Sequence, residues 1–246
     1  MGKYVAGIDI GTTGVKVMIL DLEGNVVGKA YREYPVELPQ DGWVEQDFEL
    51  VAEKTFEASR EAVANSKLDP SEIQGVGIGS QRATVGFLDE ANKPIGNFLS
   101  WQDNRAITEI DYIKSVMDPV KLYQIQGQPI TPTFSLEKVI WLKRNRPEAY
   151  AKVKKMVFAL DYILYRFGAD ELVSEITNAG CSAMIDLENR CWASEIFEAY
   201  DLNMDWTCPL VEPGDTVGKI TEETAALTGF AVGTPIVAAS GDNQLA

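Results

Sequence analysis

The sequence contains no histidine among its 246 residues. Serine–histidine and cysteine–histidine nucleophiles are therefore excluded, and so is zinc bound through imidazole. Any general base must be a carboxylate, a lysine, a tyrosine or a thiol. Cysteine is scarce too: Cys181, Cys191 and Cys208 are an odd number without regular spacing, which predicts reduced thiols and no disulfide framework.

Positive charge and long apolar runs are also in short supply. The 22 basic residues face 37 acidic ones, and the formal net charge is −15. Such a surface repels nucleic acid and anionic lipid, so neither is expected as a partner. No apolar run reaches the ~20 residues that a membrane span needs, and Asp9 interrupts the apolar start, which argues against a cleavable secretory signal. We therefore expect a cytoplasmic protein.

What the sequence does contain is alternating strand-like and helix-like segments. Strands are predicted at residues 4–10, 15–21, 26–34, 73–78, 84–88, 156–160 and 235–239, and helices at 48–63, 134–143 and 221–227. The stretch from 103 to 165 is mostly helical in pattern, and Asp161 is predicted to cap the helix that follows residue 160. This order favours an α/β or α+β layered domain with a mixed sheet.

The first motif with chemical content is GIDIGTTGVK at residues 7–16. A β-branched strand follows its turn, so the motif closes a hairpin, whereas nucleotide loops of the Walker and dinucleotide types lead into a helix. Gly11 and Gly14 are predicted to take positive φ and to let a ligand approach the backbone. Asp9, at the end of the strand, is placed to hold Mg²⁺ or its water shell. The alternative is a hairpin that binds no ligand and carries Asp9 on its surface.

Hydroxyl, amide and ammonium donors of this hairpin suit phosphate oxygens. The candidate phosphate ligands are Gly11, Thr12, Thr13 and Lys16.

Three further polar clusters follow strand-like segments: GSQRAT at 79–84, SWQDNR at 100–105 and AASGDNQ at 238–244. Polar residues at strand ends commonly line a site. Trp101 offers a flat face to a sugar ring, and Asp103 can bond hydroxyls, although a tryptophan is more often core and Arg105 more often a surface ion pair. Asp242 suits the base that accepts a proton from an attacking hydroxyl, or equally a helix cap.

Taken in chain order, these segments resemble the FGGY family of carbohydrate kinases, which includes glycerol, xylulose, gluconate and ribulose kinases. The similarity spans the chain and is carried by GIDIGTTGVKVMILD, DGWVEQD, SQRAT, LSWQDNRA, ALDYILYRFG, TNAGCSAMIDL and GDNQ. Only the first motif is shared with the wider actin, chaperone and hexokinase superfamily. The resemblance implies an α/β, ribonuclease H-like (actin-like ATPase) domain with a mixed five-stranded sheet flanked by helices.

The resemblance also implies roles for single residues. It places Mg²⁺ at Asp9, the phosphates of ATP at the hairpin, and the catalytic base at Asp242. The substrate-binding residues that it implies are Gln81, Arg82, Trp101, Asp103, Thr133, Asn243 and Gln244. The expected cofactors are ATP and Mg²⁺, and the expected substrate is a sugar or polyol.

Two departures from the family pattern bear on the substrate. Glycerol kinases usually carry a glutamate where this chain has Ala83, and a tyrosine where it has Thr133. Both changes shrink a side chain that would contact a three-carbon substrate, which argues for a larger sugar or polyol. Xylulose kinases typically carry a Met-His-Gly sequence at the SQRA segment, and the absence of histidine argues against xylulose as well.

The family is roughly twice as long as this chain. We therefore expect residues 1–246 to be the N-terminal kinase domain, with a C-terminal ATP-binding domain absent from the chain. The isolated half is expected to be inactive, and the resemblance suggests a homodimer. Three alternatives stay open: a nucleotide-switch module without sugar chemistry, a carboxylate-pair glycosidase that uses Asp103 with Asp242, and a noncatalytic regulatory half.

Overall fold

The computed structural model describes residues 3–245, so Met1, Gly2 and Ala246 lie outside the described residues. The strands are β1 Tyr4–Ile10, β2 Gly14–Asp21, β3 Val26–Glu33, β4 Glu45–Gln46, β5 Ile73–Ser80, β6 Val85–Leu88, β7 Phe98–Leu99, β8 Lys155–Phe158, β9 Ser174–Glu175, β10 Ile185–Asp186, β11 Cys191–Trp192, β12 Leu210–Val211, β13 Thr216–Lys219 and β14 Pro235–Gly241. The helices are α1 Phe48–Ser66, α2 Ile110–Val116, α3 Pro119–Gln126, α4 Ser135–Asn145, α5 Pro147–Tyr150, α6 Ala159–Phe167, α7 Ile176–Gly180, α8 Ser194–Ala199, α9 Glu222–Thr228 and α10 Asp242–Leu245, with 3₁₀ turns at Pro70–Glu72, Arg105–Glu109 and Met204–Trp206.

A mixed sheet in the order β13-β14-β5-β1-β2-β3 organises the fold and confirms the α/β class. Strands β1, β5 and β14 run parallel, while β2, β3 and β13 are antiparallel to their neighbours. The sheet has six strands, so the expectation of five was wrong. The additional edge strand β13 has only four residues and a register irregularity. Its sequence, TVGK, has a single apolar side chain and a glycine inside, so it carries too weak a strand signal to be detected.

Helix α1 covers β2 and β3 because its apolar residues recur on one face. Asp47 accepts a hydrogen bond from the Leu50 amide and so caps its start. Gly28 of β3 permits the close approach, since a Cβ there would lie 2.5 Å from the Ala62 carbonyl oxygen. The core under α1 also includes α6 and the buried face of the six-stranded sheet.

A second layer surrounds a four-stranded sheet in the order β4-β7-β6-β8. Its hydrophobic core is centred on α4 and continues through Trp192, Phe197 and Trp206. Strand β6 follows β5 along the chain after only a few residues, so the two sheets meet next to the end of β5. The connection places the segments at 81–84 and 100–105 beside the central sheet.

The prediction that Asp161 is the N-cap of the following helix was wrong by three positions. Helix α6 already begins at Ala159, and Asp161 is its third residue. Its carboxylate still accepts from the Phe158 amide at 3.0 Å and from the Ser174 hydroxyl at 2.6 Å. Desolvation of the fully buried carboxyl group is the larger effect and raises the pKa of Asp161 to about 7, although these hydrogen bonds lower the pKa.

Asp161→Asn is expected to flatten the pH dependence of stability. A carboxyl whose pKa is higher in the folded protein than its ordinary ~4 binds more protons folded than unfolded between pH 4 and 7, so the free energy of unfolding falls as the pH rises through that window. Denaturant unfolding at pH 5 and pH 7.5 measures the slope. Exposed Asp111→Asn is the control, and equal slopes in Asp161→Asn and the unmodified chain would contradict the assignment.

Candidate functional site

The candidate site lies where three parallel strands of the central sheet end together. Ile10 of β1 pairs with Ser80 of β5, and Ser80 pairs with Gly241 of β14. The residues that follow these three positions are the hairpin at 11–13, the pair at 81–82 and Asp242. Because the carboxyl ends of parallel strands share one edge of a sheet, segments far apart in sequence meet here.

A cavity of about 280 Å³ opens at this edge, and we call it the Asp242 cavity. It is lined by Thr12, Arg82, Ala83, Trp101, Thr133, Phe134, Cys181, Asp242 and Asn243. The structure thus brings together five of the predicted site residues outside the hairpin: Arg82, Trp101, Thr133, Asp242 and Asn243.

Asp242 opens α10, and its side chain is 48% exposed. The Asn243 amide donates to its carboxylate at 2.8 Å, and Arg82 Nε lies 3.7 Å from the same oxygen. With the Asn243 side-chain amide oriented to satisfy both of its atoms, it donates to Asp242 at 3.1 Å and accepts from Arg82 at 2.8 Å. The carboxylate is therefore held in place while it stays accessible, as a general base requires.

A second cavity of about 490 Å³ adjoins the first along the open face of the central sheet, and we call it the sheet-face cavity. It is lined by Gly7, Ile8, Asp9, Lys16, Met18, Gly77, Gly79, Ala239 and Asp242. Asp9 and Lys16 are paired directly across the hairpin. Desolvation raises the pKa of Asp9, the Lys16 ammonium lowers it and the Asp242 charge raises it. Asp242 borders both cavities and so lies between Asp9 and Lys16 on one side and Trp101 on the other.

The hairpin is closed by the Gly11 amide, which donates to the Gly14 carbonyl at 2.9 Å. Neither glycine has positive φ, so that expectation was wrong. The need for Gly14 is spatial instead: a Cβ there would lie 2.6 Å from the Arg32 carbonyl oxygen of β3 and 2.5 Å from the Tyr31 hydroxyl. Thr13 is exposed, and Thr12 contributes to the Asp242 cavity.

Three side chains fix the outward-facing turn of the hairpin. The Tyr34 hydroxyl donates to the Gly11 carbonyl at 2.5 Å, and the buried Gln46 amide donates to the Thr12 carbonyl at 2.6 Å. Trp101 Nε1 donates to the Thr12 hydroxyl at 2.9 Å. Trp101 is 40% exposed, so it is not the core residue that a tryptophan more often is. Its indole connects the Asp242 cavity to the hairpin.

Three predicted substrate residues do not line the Asp242 cavity. Gln81 is buried and donates to Gln46 at 2.8 Å, so it supports the hairpin from beneath. Asp103 is fully buried and forms an ion pair with Arg105 at 2.9 Å. Arg105 is buried too, so its ion pair is not the surface ion pair that an arginine more often forms. Gln244 lines a neighbouring cavity of about 420 Å³ that shares Arg82 with the Asp242 cavity.

Residues 4–246 match the sequence profile of the N-terminal domain of the FGGY family of carbohydrate kinases. The chain belongs to this family. Xylulose kinase of Bacillus subtilis (strain 168) is 27% identical over 241 residues, which cover 98% of this chain and 48% of that protein. Glycerol kinase of Burkholderia cenocepacia (strain HI2424) is 30% identical over 250 residues, covering 99% and 49%.

A crystal structure of gluconate kinase from Lactobacillus acidophilus has a TM-score of 0.93 at 24% identity, covering 99% of this chain and 49% of that one. This likeness, together with the six-stranded mixed sheet, confirms the ribonuclease H-like, actin-like fold. The FGGY chain spans about half the length of the curated relatives that it matches. Within residues 3–245, no helix is both long and apolar enough to cross a membrane.

The donor set of the site bears on Mg²⁺, which the family resemblance implies. Among the described residues, no group of three or more acidic or cysteine side chains is arranged to hold a metal ion. Mg²⁺ bound with nucleotide phosphates needs only one or two protein carboxylates, because phosphates and water complete its shell. Asp9 and Asp242 are two carboxylates on one cavity, and the Asp242 charge raises the pKa of Asp9, so a cation there fits the charge pattern.

Sequence reasoning assigned no role to several residues that shape this FGGY site. Gln46 and Tyr34 hold the hairpin carbonyls, and Phe134 and Cys181 line the Asp242 cavity. A glutamine between strand-like neighbours in DGWVEQD is a weak signal of a buried polar contact. The role of Gln46 can be recognised only when its hydrogen-bond partner, the Thr12 carbonyl, is known. All three cysteines are free thiols, as predicted.

Proposed function

We propose that the FGGY chain supplies the substrate-binding and phosphate-binding half of an enzyme that transfers a phosphoryl group from ATP to a sugar or polyol hydroxyl. One observation carries the proposal: Asp242 borders both the Asp242 cavity and the sheet-face cavity. An acceptor beside Trp101 and a phosphate beside Asp9 and Lys16 would thus approach the same carboxylate from its two sides.

In this proposal Asp242 accepts the proton of the acceptor hydroxyl as its oxygen attacks the terminal phosphorus in line. Trp101 offers its face to the apolar side of the acceptor, and Arg82 with Asn243 orients the Asp242 carboxylate. The amides and hydroxyls of Thr12 and Thr13, with the Lys16 charge, stabilise negative charge on the phosphates. When bound, Mg²⁺ near Asp9 neutralises part of the same charge.

The wall of the Asp242 cavity supports an acceptor larger than glycerol. Ala83 and Thr133, the two positions where glycerol kinases usually carry larger side chains, both line it. Ala83 has a φ of 58°, so its small side chain occupies a backbone conformation that bulky residues rarely adopt. A cavity of about 280 Å³ has room for a pentose, a hexose or the corresponding polyol.

The decisive experiment follows ADP release by the complete protein that carries this chain, with Mg-ATP and a panel of sugars, sugar acids and polyols. Strong release with one acceptor supports the proposed function and names the substrate. Release that is equal with and without every acceptor would favour a nucleotide switch, and no release at all would favour a regulatory half.

The glycosidase alternative finds no support in the geometry. It needs two accessible carboxylates, and Asp103 has no exposed surface and is paired with Arg105. The homodimer and the cytoplasmic location stay predictions, which sedimentation and cell fractionation would test.

We expect residues 1–246 by themselves to bind ATP weakly and to turn over little, because the family resemblance places the adenosine pocket in a second domain. Titration of residues 1–246 with ATP, ADP and inorganic triphosphate measures this. Tight binding that depends on adenine would contradict the expectation, whereas weak binding of all three would support it.

Gln46→Leu in the complete protein is expected to raise the KM for ATP about tenfold. The change removes the donor of the Thr12 carbonyl and the acceptor of Gln81, and a buried group left without a partner costs about 1–3 kcal/mol. Gln126→Leu is the matched control, because Gln126 is equally buried and bonded to backbone groups of Gln128 away from the hairpin. An equal rise of KM in both variants would show a general loss of stability.

A further inference from the structure

Two consecutive charged residues are buried at the start of α4. Glu137 is 1% exposed and Lys138 is 0% exposed. Helix α4 is buried on all sides from Ser135 to Leu142, and fully buried charges are rare unless they are paired. No ion pair joins either of them to a partner among residues 3–245. Desolvation lowers the pKa of Lys138 to about 8 and raises that of Glu137 to about 7.

Both side chains instead bond the backbone of the preceding segment, residues 131–134. Lys138 Nζ donates to the Thr133 carbonyl at 2.5 Å and lies 3.5 Å from the Phe134 carbonyl. Glu137 Oε1 accepts from the Thr131 amide at 3.2 Å. One side chain therefore holds the carbonyls of this segment and the other holds an amide.

The same helical turn contacts two other parts of the Asp242 cavity wall. The Ser135 hydroxyl donates to the Ala83 carbonyl at 3.4 Å, and the Leu136 amide donates to the Ser182 carbonyl at 2.9 Å, next to Cys181. Thr133, Phe134, Ala83 and Cys181 all line the cavity. The first turn of α4 is thus the common support of the wall that faces Asp242.

We propose that Glu137 and Lys138 are positioning residues that hold the 131–134 segment as one wall of the acceptor site, so that they set the affinity for the acceptor and not that for ATP. The proposal rests on the proposed kinase function. Neither side chain lines the cavity, and both act through Thr133 and Phe134. The charge-assisted hydrogen bond from Lys138 to the Thr133 carbonyl offsets part of the cost of desolvating the ammonium group.

The primary test compares Lys138→Met with Lys143→Met in the complete protein. Lys143 lies on the same helix and also donates to backbone carbonyls, those of Tyr200 and Asp201, but it lines a different cavity. Lys138→Met is expected to raise the KM for the acceptor about tenfold and to leave the KM for ATP unchanged, while Lys143→Met changes neither. An unchanged acceptor KM in Lys138→Met, or an equal rise in Lys143→Met, would overturn the proposal.

A second readout does not depend on turnover. In a Cys191→Ser background, the rate at which a thiol reagent labels Cys181 reports on the wall, because Cys181 borders the cavity and Cys208 is 1% exposed. Labelling is expected to be at least about tenfold faster in Lys138→Met than in Lys143→Met. If the complete protein phosphorylates no acceptor, the proposed function fails, and the labelling rates still decide whether Lys138 holds the wall.

Glu137→Leu tests the same proposal if the Lys138→Met protein does not fold. Leucine has a similar volume and removes the buried Glu137 Oε2 atom, which has no hydrogen-bond partner among the described residues, and thermal unfolding verifies that the variant is folded. Loss of the Thr131 contact should still raise the acceptor KM about threefold and accelerate Cys181 labelling. Unchanged acceptor KM and labelling in a folded Glu137→Leu protein would overturn the proposal.

Discussion

Asp242→Asn is expected to lower acceptor-dependent ADP release by the complete protein about 10²–10⁴-fold, the usual contribution of a positioned general base. Asparagine keeps the size of the side chain and an oxygen atom that can face Arg82, but it cannot accept the proton of the attacking hydroxyl. The carboxylate is 48% exposed and its ion pair with Arg82 is long, at 3.7 Å. The loss of charge should therefore change stability little.

Steady-state kinetics with the best acceptor of the panel measure the effect, and thermal unfolding verifies the fold. Asp111→Asn, an exposed aspartate on α2, is the matched control and should retain full activity. An Asp242→Asn protein that retains more than about a tenth of the activity would show that another group accepts the proton.

Gly241→Ala is expected to lower kcat/KM about 10²-fold while the protein stays folded. A Cβ at this position would lie 2.3 and 2.5 Å from the Cδ and Cγ atoms of Arg82. Arg82 is a flexible side chain at the cavity edge, so it is expected to move rather than to disrupt the sheet. The move separates its guanidinium from Asp242 and Asn243, and misplacement by about 1 Å in an active site is enough for such a loss.

Gly75→Ala is the control for this substitution. Gly75 lies on β5 of the same sheet, and the nearest atom to its added methyl would be the Pro235 carbonyl oxygen at an ordinary 3.8 Å. Full activity of Gly75→Ala beside a folded, impaired Gly241→Ala would tie the effect to Arg82. Unimpaired Gly241→Ala would mean that the position of Arg82 does not matter for the reaction.

Much of the fold could be predicted because its signals are local. Strands β1, β2, β3, β5 and β14 each carry enough apolar residues to be read directly, and α1 shows its buried face at three- and four-residue steps. Strand β13 and the short pairs β9–β12 and β10–β11 were not predicted. The two-residue strands, and β13 with its internal glycine, are stabilised by their neighbours in space, so their own residues show no clear period.

The candidate site could likewise be predicted only in part. The hairpin motif, Arg82, Trp101 and Asp242 were identified from residue types that follow strand ends, and the structure gathers them around two adjoining cavities. Asp103 has the same kind of sequence context, yet its carboxylate is paired with Arg105 inside the protein. The position of a residue next to a strand end does not determine the direction in which its side chain points.

The sequence by itself determined the class of fold, the hairpin and the absence of histidine chemistry, because each of these depends on residue type and on spacing within one segment. The assignment of Asp242 as the base stays a prediction that the family resemblance implies. Only the tertiary structure decided that Gln46 holds the Thr12 carbonyl, that Lys138 holds the Thr133 carbonyl and that Asp242 lies between two cavities. Such contacts form when strands distant in sequence pair and their loops close on one another, and the free energy of a buried polar group depends on the partner that this closure provides.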